Sequence, residues 1–132
     1  MVPDPTALAL LLCEQVIVDQ QSRNPSPINI FTGLAVEGFP SDAQRFSVFA
    51  ALTDSKGDGH LELRAIRLDT GEQFYAQQYP IHFPDRAIVV NVNIRVRAIR
   101  FAVPGVYEFL LLVDGNLVAQ RKLRVYSAPT SN

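Results

Sequence analysis

The stretch from Pro104 to Val125, PGVYEFLLLVDGNLVAQRKLRV, contains two strand patterns separated by an Asp-Gly turn. Alternate positions in its first half hold large apolar side chains, namely Tyr107, Phe109, Leu111 and Val113. Side chains on one face of a β-strand recur with this period of two. The Asp-Gly pair in VDGN at 113–116 is the strongest short signal for a hairpin. We therefore predict two antiparallel strands joined by this turn.

Working outward from this hairpin, we find six more runs of β-forming residues between Gly, Pro, Asp and Asn residues. The eight predicted strands are Leu8–Asp19, Ile28–Val36, Arg45–Thr53, Leu61–Leu68, Gln73–His82, Ala87–Arg97, Val106–Val113 and Leu117–Tyr126. DTGE at 69–72 predicts a second hairpin turn, whereas SRNPSP at 22–27 and SDA at 41–43 predict loops. No stretch has sustained helical periodicity. The pattern predicts an antiparallel β-sandwich of seven or eight strands, with an eight-stranded barrel as the alternative.

The composition fits one domain over residues 1–132, with an ordered core at about 8–126. Apolar residues make up 48% of the chain and charged residues 19%, which is enough to fill a core and too little charge for a disordered chain. The single cysteine, Cys13, can form no internal disulfide, which favours a reducing compartment. ALALLLC at 7–13 has no preceding basic residue, and no stretch approaches the roughly 20 apolar residues of a membrane span. We expect a cytoplasmic protein without a membrane partner.

The basic residues concentrate in the second half of the sequence. Residues 86–124 contain 7 basic and 2 acidic side chains, although the net charge of the whole chain is −1. Arg95, Arg97, Lys122 and Arg124 are therefore a candidate basic patch for phosphate or an acidic partner. Their alternation within strands also fits ordinary solvent-facing positions. Because stacking aromatic residues are not interleaved with these charges, we expect no nucleic-acid partner.

No residue pattern points to catalysis or to a bound cofactor. His60 and His82 are the two histidines, and neither has the spacing of a zinc site. A GxSxG nucleophile motif is absent from the sequence. The loop DSKGDG at 54–59 resembles the acidic part of a calcium loop, but Lys56 stands where an oxygen ligand belongs. We expect a protein that is not an enzyme and that has no metal or cofactor site.

Six segments of the chain resemble an uncharacterised family of short bacterial β-sandwich proteins. They are LLCEQVIVD (11–19), INIFTGL (28–34), FSVFAALTD (46–54), IRLDTGE (66–72), IHFPDR (81–86) and PGVYEFLLLVDG (104–115). The resemblance implies an immunoglobulin-like sandwich and transfers no catalytic or ligand-binding residue. Tyr107, which follows Pro104-Gly105 at a strand start, is similar to the corner tyrosine of immunoglobulin-like domains, although their paired cysteines are missing.

The strand pattern leaves one candidate interaction face. Leu110 and Leu112 lie on the opposite parity from Tyr107, and Glu108 marks that parity as nearer solvent. Either the N-terminal segment covers these leucines, or they belong to the surface of a homodimer or of a complex with another protein. We therefore predict a non-catalytic protein–protein interaction or assembly module. The alternative is a small-ligand or carbohydrate-binding module that uses loop ends such as NPSPI and FPDR.

Overall fold

The computed structural model describes residues 1–129, which form nine β-strands and no helix. In chain order the strands are β1 (Thr6–Val18), β2 (Pro25–Ile30), β3 (Gly33–Val36), β4 (Gln44–Thr53), β5 (Gly57–Arg67), β6 (Gln73–Phe83), β7 (Val90–Ile99), β8 (Gly105–Val113) and β9 (Asn116–Ser127). The predicted all-β class is confirmed, whereas the predicted count of seven or eight strands is wrong. No helix long and apolar enough to cross a bilayer occurs among the described residues.

The strands form two sheets, in the orders β2-β1-β4-β7 and β3-β9-β8-β5-β6. Paired strands are antiparallel except for β3 and β9, which are parallel. Apolar side chains of both sheets share one core, which includes Leu12, Leu52, Phe83, Phe101 and Phe109. Each sheet keeps two edge strands, so the described strands do not close into the eight-stranded barrel that was the alternative.

β8 crosses the five-stranded sheet between β5 and β9. The residues predicted to face the core are each at most 2% exposed: Tyr107, Phe109, Leu111 and Val113. In the turn that follows, Asp114 and Gly115 have φ values of 49° and 82°, the left-handed conformation that a two-residue hairpin loop of type I′ requires. The segment DTGE at 69–72 likewise joins β5 to β6. Both hairpin predictions are confirmed.

The second predicted strand, Ile28–Val36, is two strands that belong to different sheets. β2 pairs with β1, and β3 pairs with β9. The chain crosses between the sheets at Phe31, whose ring packs edge-on against Phe46 at 5.5 Å. Pro25 and Pro27 lie inside β2 rather than in the predicted loop. They are accommodated there because β2 is an edge strand, which can lack backbone N–H donors on its open side.

Tyr107 anchors the start of β8 to the segment that precedes it. Its hydroxyl donates a hydrogen bond of 2.6 Å to the carbonyl oxygen of Val103, four residues upstream. Its ring is 2% exposed and packs edge-on against Phe101 at 4.8 Å and Phe74 at 5.3 Å. The hydrogen bond from the hydroxyl to an upstream carbonyl is the contact expected of a corner tyrosine.

The N-terminal segment closes one end of the core. Val2 is buried in the main hydrophobic cluster, and its backbone N–H donates to a carboxylate oxygen of Asp114 at 2.8 Å. The other oxygen of that carboxylate accepts the backbone N–H of His60 at 2.9 Å. These two hydrogen bonds hold the pKa of Asp114 below its usual range. The Ser55 hydroxyl also donates to the Pro3 carbonyl, so the segment is fixed by polar contacts as well as by apolar burial.

Candidate interaction surface

The two leucines predicted to point outward are covered to different extents within the chain. Leu110 is half-buried, and Leu112 is only 6% exposed. Their cross-strand neighbours on β5 are Arg64 and Glu62, which form an ion pair with each other. Side chains directly opposite on one sheet face lie in contact. Leu112 is therefore buried within the chain itself, beside Glu62 of β5 and Leu117 of β9.

The four residues of the candidate basic patch lie on two different sheets. Arg95 and Arg97 lie on β7, at one edge of the four-stranded sheet. Lys122 and Arg124 lie on β9 and face away from the core on the five-stranded sheet, opposite Glu108 and Val106 of β8. The structure therefore brings the residues together in pairs, not as one surface of four.

Arg121 joins the two sheets on the side away from β7. It shares the parity of the buried Leu123, yet Arg121 is exposed. Its Nε–H donates to the carbonyl oxygen of Leu10 on β1 at 2.8 Å. This bond links β9 to β1 of the other sheet, so Arg121 has a structural partner.

A groove runs between β6 and β7, where the open edges of the two sheets lie side by side. Tyr75, Gln77 and Tyr79 line it from β6, and Asn93, Arg95, Arg97 and Ala98 line it from β7. The three β6 residues have the parity of the core, yet Gln77 is exposed and Tyr75 and Tyr79 are only half-buried. The groove thus combines two phenol rings, two amides and two guanidinium groups.

Tyr75 and Tyr79 are half-buried and pack against the main core. Burial, followed by the neighbouring phenol of Tyr79, raises the pKa of Tyr75 to about 12. The Tyr75 ring is therefore neutral at physiological pH and offers a hydroxyl group rather than charge to the groove. Sequence reasoning missed both tyrosines, although the alternation Tyr-x-Gln-x-Tyr in 75–79 was available as a signal.

A second depression lies on the other side of the same arginines, on the outer face of the four-stranded sheet. Arg95 and Arg97 line it together with Arg45 from the start of β4 and with Glu14 from β1. Glu14 accepts a hydrogen bond of 3.3 Å from the Asn29 amide. Among the described residues, none of the three arginines forms an ion pair. Three guanidinium groups thus line the depression with one carboxylate, that of Glu14, so positive charge is in excess there.

The four edge strands differ in how well they resist pairing with another chain. β2 contains Pro25 and Pro27, β6 contains Pro80, and β3 has only four residues. β7 has ten residues and no proline. Its register with β4 is regular from Val90 to Val96 and shifts beyond Val96. Prolines and short strands protect an edge, so this stretch of β7 is the least protected edge of the described domain.

The outer face of the four-stranded sheet also holds a small apolar cluster around Cys13. Cys13 is fully buried and packs with Phe49 and Ala51 of β4. Burial raises the pKa of the Cys13 thiol. The thiol is therefore a small apolar group of the sheet surface and is placed away from both histidines.

The histidines lie near one end of β5 and β6. His82 contacts the carboxylate of Asp58 at 2.7 Å, and both side chains are largely exposed. In the loop considered for calcium, Asp54 pairs with Arg86 at 3.1 Å. Within residues 1–129 no three potential metal-ligating side chains form a group. The two loop aspartates are thus each engaged with a separate nitrogen partner.

Comparison with known proteins identifies the family and the fold, without an activity. No curated protein matches the sequence. A solved structure with a similar fold is that of the Pseudomonas fluorescens alkylpurine DNA glycosylase AlkC bound to DNA containing an abasic site analog, with a TM-score of 0.55 and 10% identity. The match covers 94% of this chain and 31% of the glycosylase, so this chain spans about a third of that protein. The family profile of DUF6941 matches residues 8–126, and the chain belongs to this family of unknown function.

Proposed function

We propose that this domain is a non-catalytic protein-binding module built on an immunoglobulin-like sandwich. The order of the two sheets and the hydrogen bond from Tyr107 to the Val103 carbonyl support the immunoglobulin-like assignment. The separation of Cys13 from both histidines supports a role without catalysis. A cytoplasmic location is part of the proposal and rests on the single buried thiol.

The observation that carries the proposal is the open side of the sandwich formed by β6 and β7. Two long strands end their sheets on this side, and the groove between them offers hydroxyl, amide and guanidinium groups. Exposed strand edges pair readily with another chain unless they are protected. Proteins commonly use such edges to bind an extended segment of a partner, and a homodimer or another protein can supply that segment.

Site-specific photo-crosslinking in the native cell tests this function. A photoreactive amino acid replaces Asn93 in the groove or, as the matched control, Gln120 on the outer face of β9. Both positions are exposed and polar. We expect a defined partner to crosslink at Asn93 and not at Gln120, and to rebind the purified wild-type protein. Equal labelling at both positions, or no crosslinked species at either, contradicts the proposal.

A small-ligand or carbohydrate-binding module is the second candidate. Tyr75 and Tyr79 favour it, because phenol rings beside amide groups are the usual lining of a small-molecule site. A further depression at the loop ends is lined by residues 35–40 with Asp42 and Gln44. Titration of an oligosaccharide panel against wild type and Tyr79→Ala separates the two functions. A carbohydrate-binding module binds a member of the panel and loses affinity in the variant, whereas a protein-binding module binds none of the panel.

A further inference from the structure

We propose that the partner segment is an acidic β-strand that adds to the open edge of β7, with alternate carboxylates bound by Arg95 and Arg97. This inference rests on the proposed binding function and specifies the chemistry of the partner. An added strand continues the four-stranded sheet, so its side chains alternate between the two faces of that sheet. The side chains of the added strand on the outer face then lie beside Arg95 and Arg97, and those on the core face lie over the groove.

The edge of β7 is open to pairing with another strand. The other edge strands carry prolines or are short, whereas Val90–Val96 of β7 is regular and free of proline. A proline removes an N–H donor that a new strand needs. β7 is therefore the edge of the described domain on which the backbone of a partner can form a continuous ladder.

Positive charge is in excess beside this edge. Charged side chains on an edge strand are commonly a protection against pairing, and Arg95 and Arg97 alone fit that explanation. Arg45 does not, because it lies on β4, one strand inside the edge, and lines the same depression. The three arginines outnumber the single carboxylate of Glu14 in this depression. An excess of like charge raises the electrostatic free energy of the free domain, and a carboxylate-bearing partner lowers it.

The side chains of β7 alternate between the two faces of its sheet. Ile94 and Val96 of β7 point into the core, while Asn93, Arg95 and Arg97 point away from it. A partner residue between two carboxylates thus faces the groove beside Tyr75 and Tyr79. The preferred segment alternates Asp or Glu with apolar residues over a length similar to Val90–Val96.

Two other occupants fit these observations less well. A second copy of β7 supplies no counter-charge, because Val90–Ile99 contains no Asp or Glu. Single-stranded nucleic acid needs aromatic faces that are free to stack on bases, but Tyr75 and Tyr79 are half-buried against the core. An acidic peptide needs only the free backbone edge and the charges that are present.

Binding of a synthetic peptide tests the proposal. The probe is an acetylated and amidated peptide in which Glu and Val alternate, measured by calorimetry with the intact protein. Two further versions of the peptide are N-methylated, one at every Glu and the other at every Val, so each loses the backbone donors on one edge and keeps every charge. An oligothymidylate is the nucleic-acid arm. Arg95→Gln/Arg97→Gln is the protein variant, and Lys122→Gln/Arg124→Gln is its control with the same loss of charge on the other sheet.

We expect the alternating peptide to bind wild type and the control variant within about twofold of each other, and to bind the Arg95→Gln/Arg97→Gln variant about tenfold more weakly. N-methylation should abolish binding when the methyl groups lie on the edge of the peptide that pairs with β7. If the N-methylated peptides all bind as well as the parent, the contact is only charge attraction and strand addition is wrong. Binding of oligothymidylate without binding of the peptide, or binding of neither probe, also overturns the inference.

The inference and the proposed function fail separately. If crosslinking at Asn93 identifies a partner whose contacting segment lacks alternating carboxylates, the binding function stands and the acidic strand is wrong. Thermal melts of each variant show whether it is folded, and all four substituted residues are exposed. A loss of peptide binding with an unchanged melting temperature therefore results from the loss of binding side chains and not from unfolding.

Discussion

Replacing Tyr107 with phenylalanine removes one hydroxyl group and leaves the ring among Phe74 and Phe101. The Val103 carbonyl then loses the donor that lies 2.6 Å away. Leaving this acceptor unsatisfied costs about 1–2 kcal/mol. The cost is no larger because Val103 is half-buried, so water replaces part of the lost bond. In a domain of 132 residues, this lowers the melting temperature by about 4–8 °C.

Chemical denaturation and calorimetry measure this change, with Tyr126→Phe as the matched control. Tyr126 is 40% exposed, so the control should change the free energy of unfolding by less than about 0.5 kcal/mol. The peptide affinity of both variants should equal that of wild type. If Tyr107→Phe is no less stable than Tyr126→Phe, the hydroxyl does not fix the start of β8 and the corner assignment fails.

Three further outcomes follow from the burial and polar contacts described above. Cys13 should react slowly with a thiol reagent in the native protein and quickly after unfolding, because burial raises its pKa; fast native labelling contradicts its apolar role. Leu112→Lys should lose several kcal/mol of stability, about as much as burying an unpaired charge costs, and Leu110→Lys should lose less. Light scattering that shows a wild-type dimer and folded monomeric variants would instead assign these leucines to an interface. Asp114→Asn should be less stable than wild type at pH 7. The pKa of Asp114 is lowered in the folded state from its ordinary value of 3.8. Its contribution to the free energy of unfolding is therefore present above the unfolded pKa and is lost as the pH falls through the folded pKa. Denaturation curves of the two proteins should thus converge as the pH falls below about 3.8.

The local features of the fold were predictable because they depend on neighbouring residues. The alternation in 107–113 and the Asp-Gly turn at 114–115 indicate a strand and a hairpin without any knowledge of the partner strand. The division of Ile28–Val36 into β2 and β3 was not predictable in the same way. Its residues favour strand on both sides of Phe31, and only the distant β1 and β9 determine that the chain changes sheets there.

The candidate surface was only partly predictable for a related reason. Sequence identified Arg95 and Arg97 but joined them to Lys122 and Arg124, because periodicity gives the face of a strand and not the sheet that contains it. Tyr79 and Arg95 are separated by a loop in the chain. They line the same groove only because β6 and β7 end their sheets on the same side. The expectation that no aromatic residues accompany the basic ones was based on sequence neighbours alone.

Amide hydrogen exchange of β7, measured residue by residue with and without the alternating Glu-Val peptide, tests the central claim most directly. Strand addition creates hydrogen bonds at those amides of Val90–Val96 that do not pair with β4, so exchange at alternate residues should slow when the peptide binds. Exchange in β6, whose edge is interrupted by Pro80, should change little. Saturating peptide that leaves the β7 amides unchanged, or that slows those of β6 or β2 instead, would contradict the assignment of β7 as the binding edge.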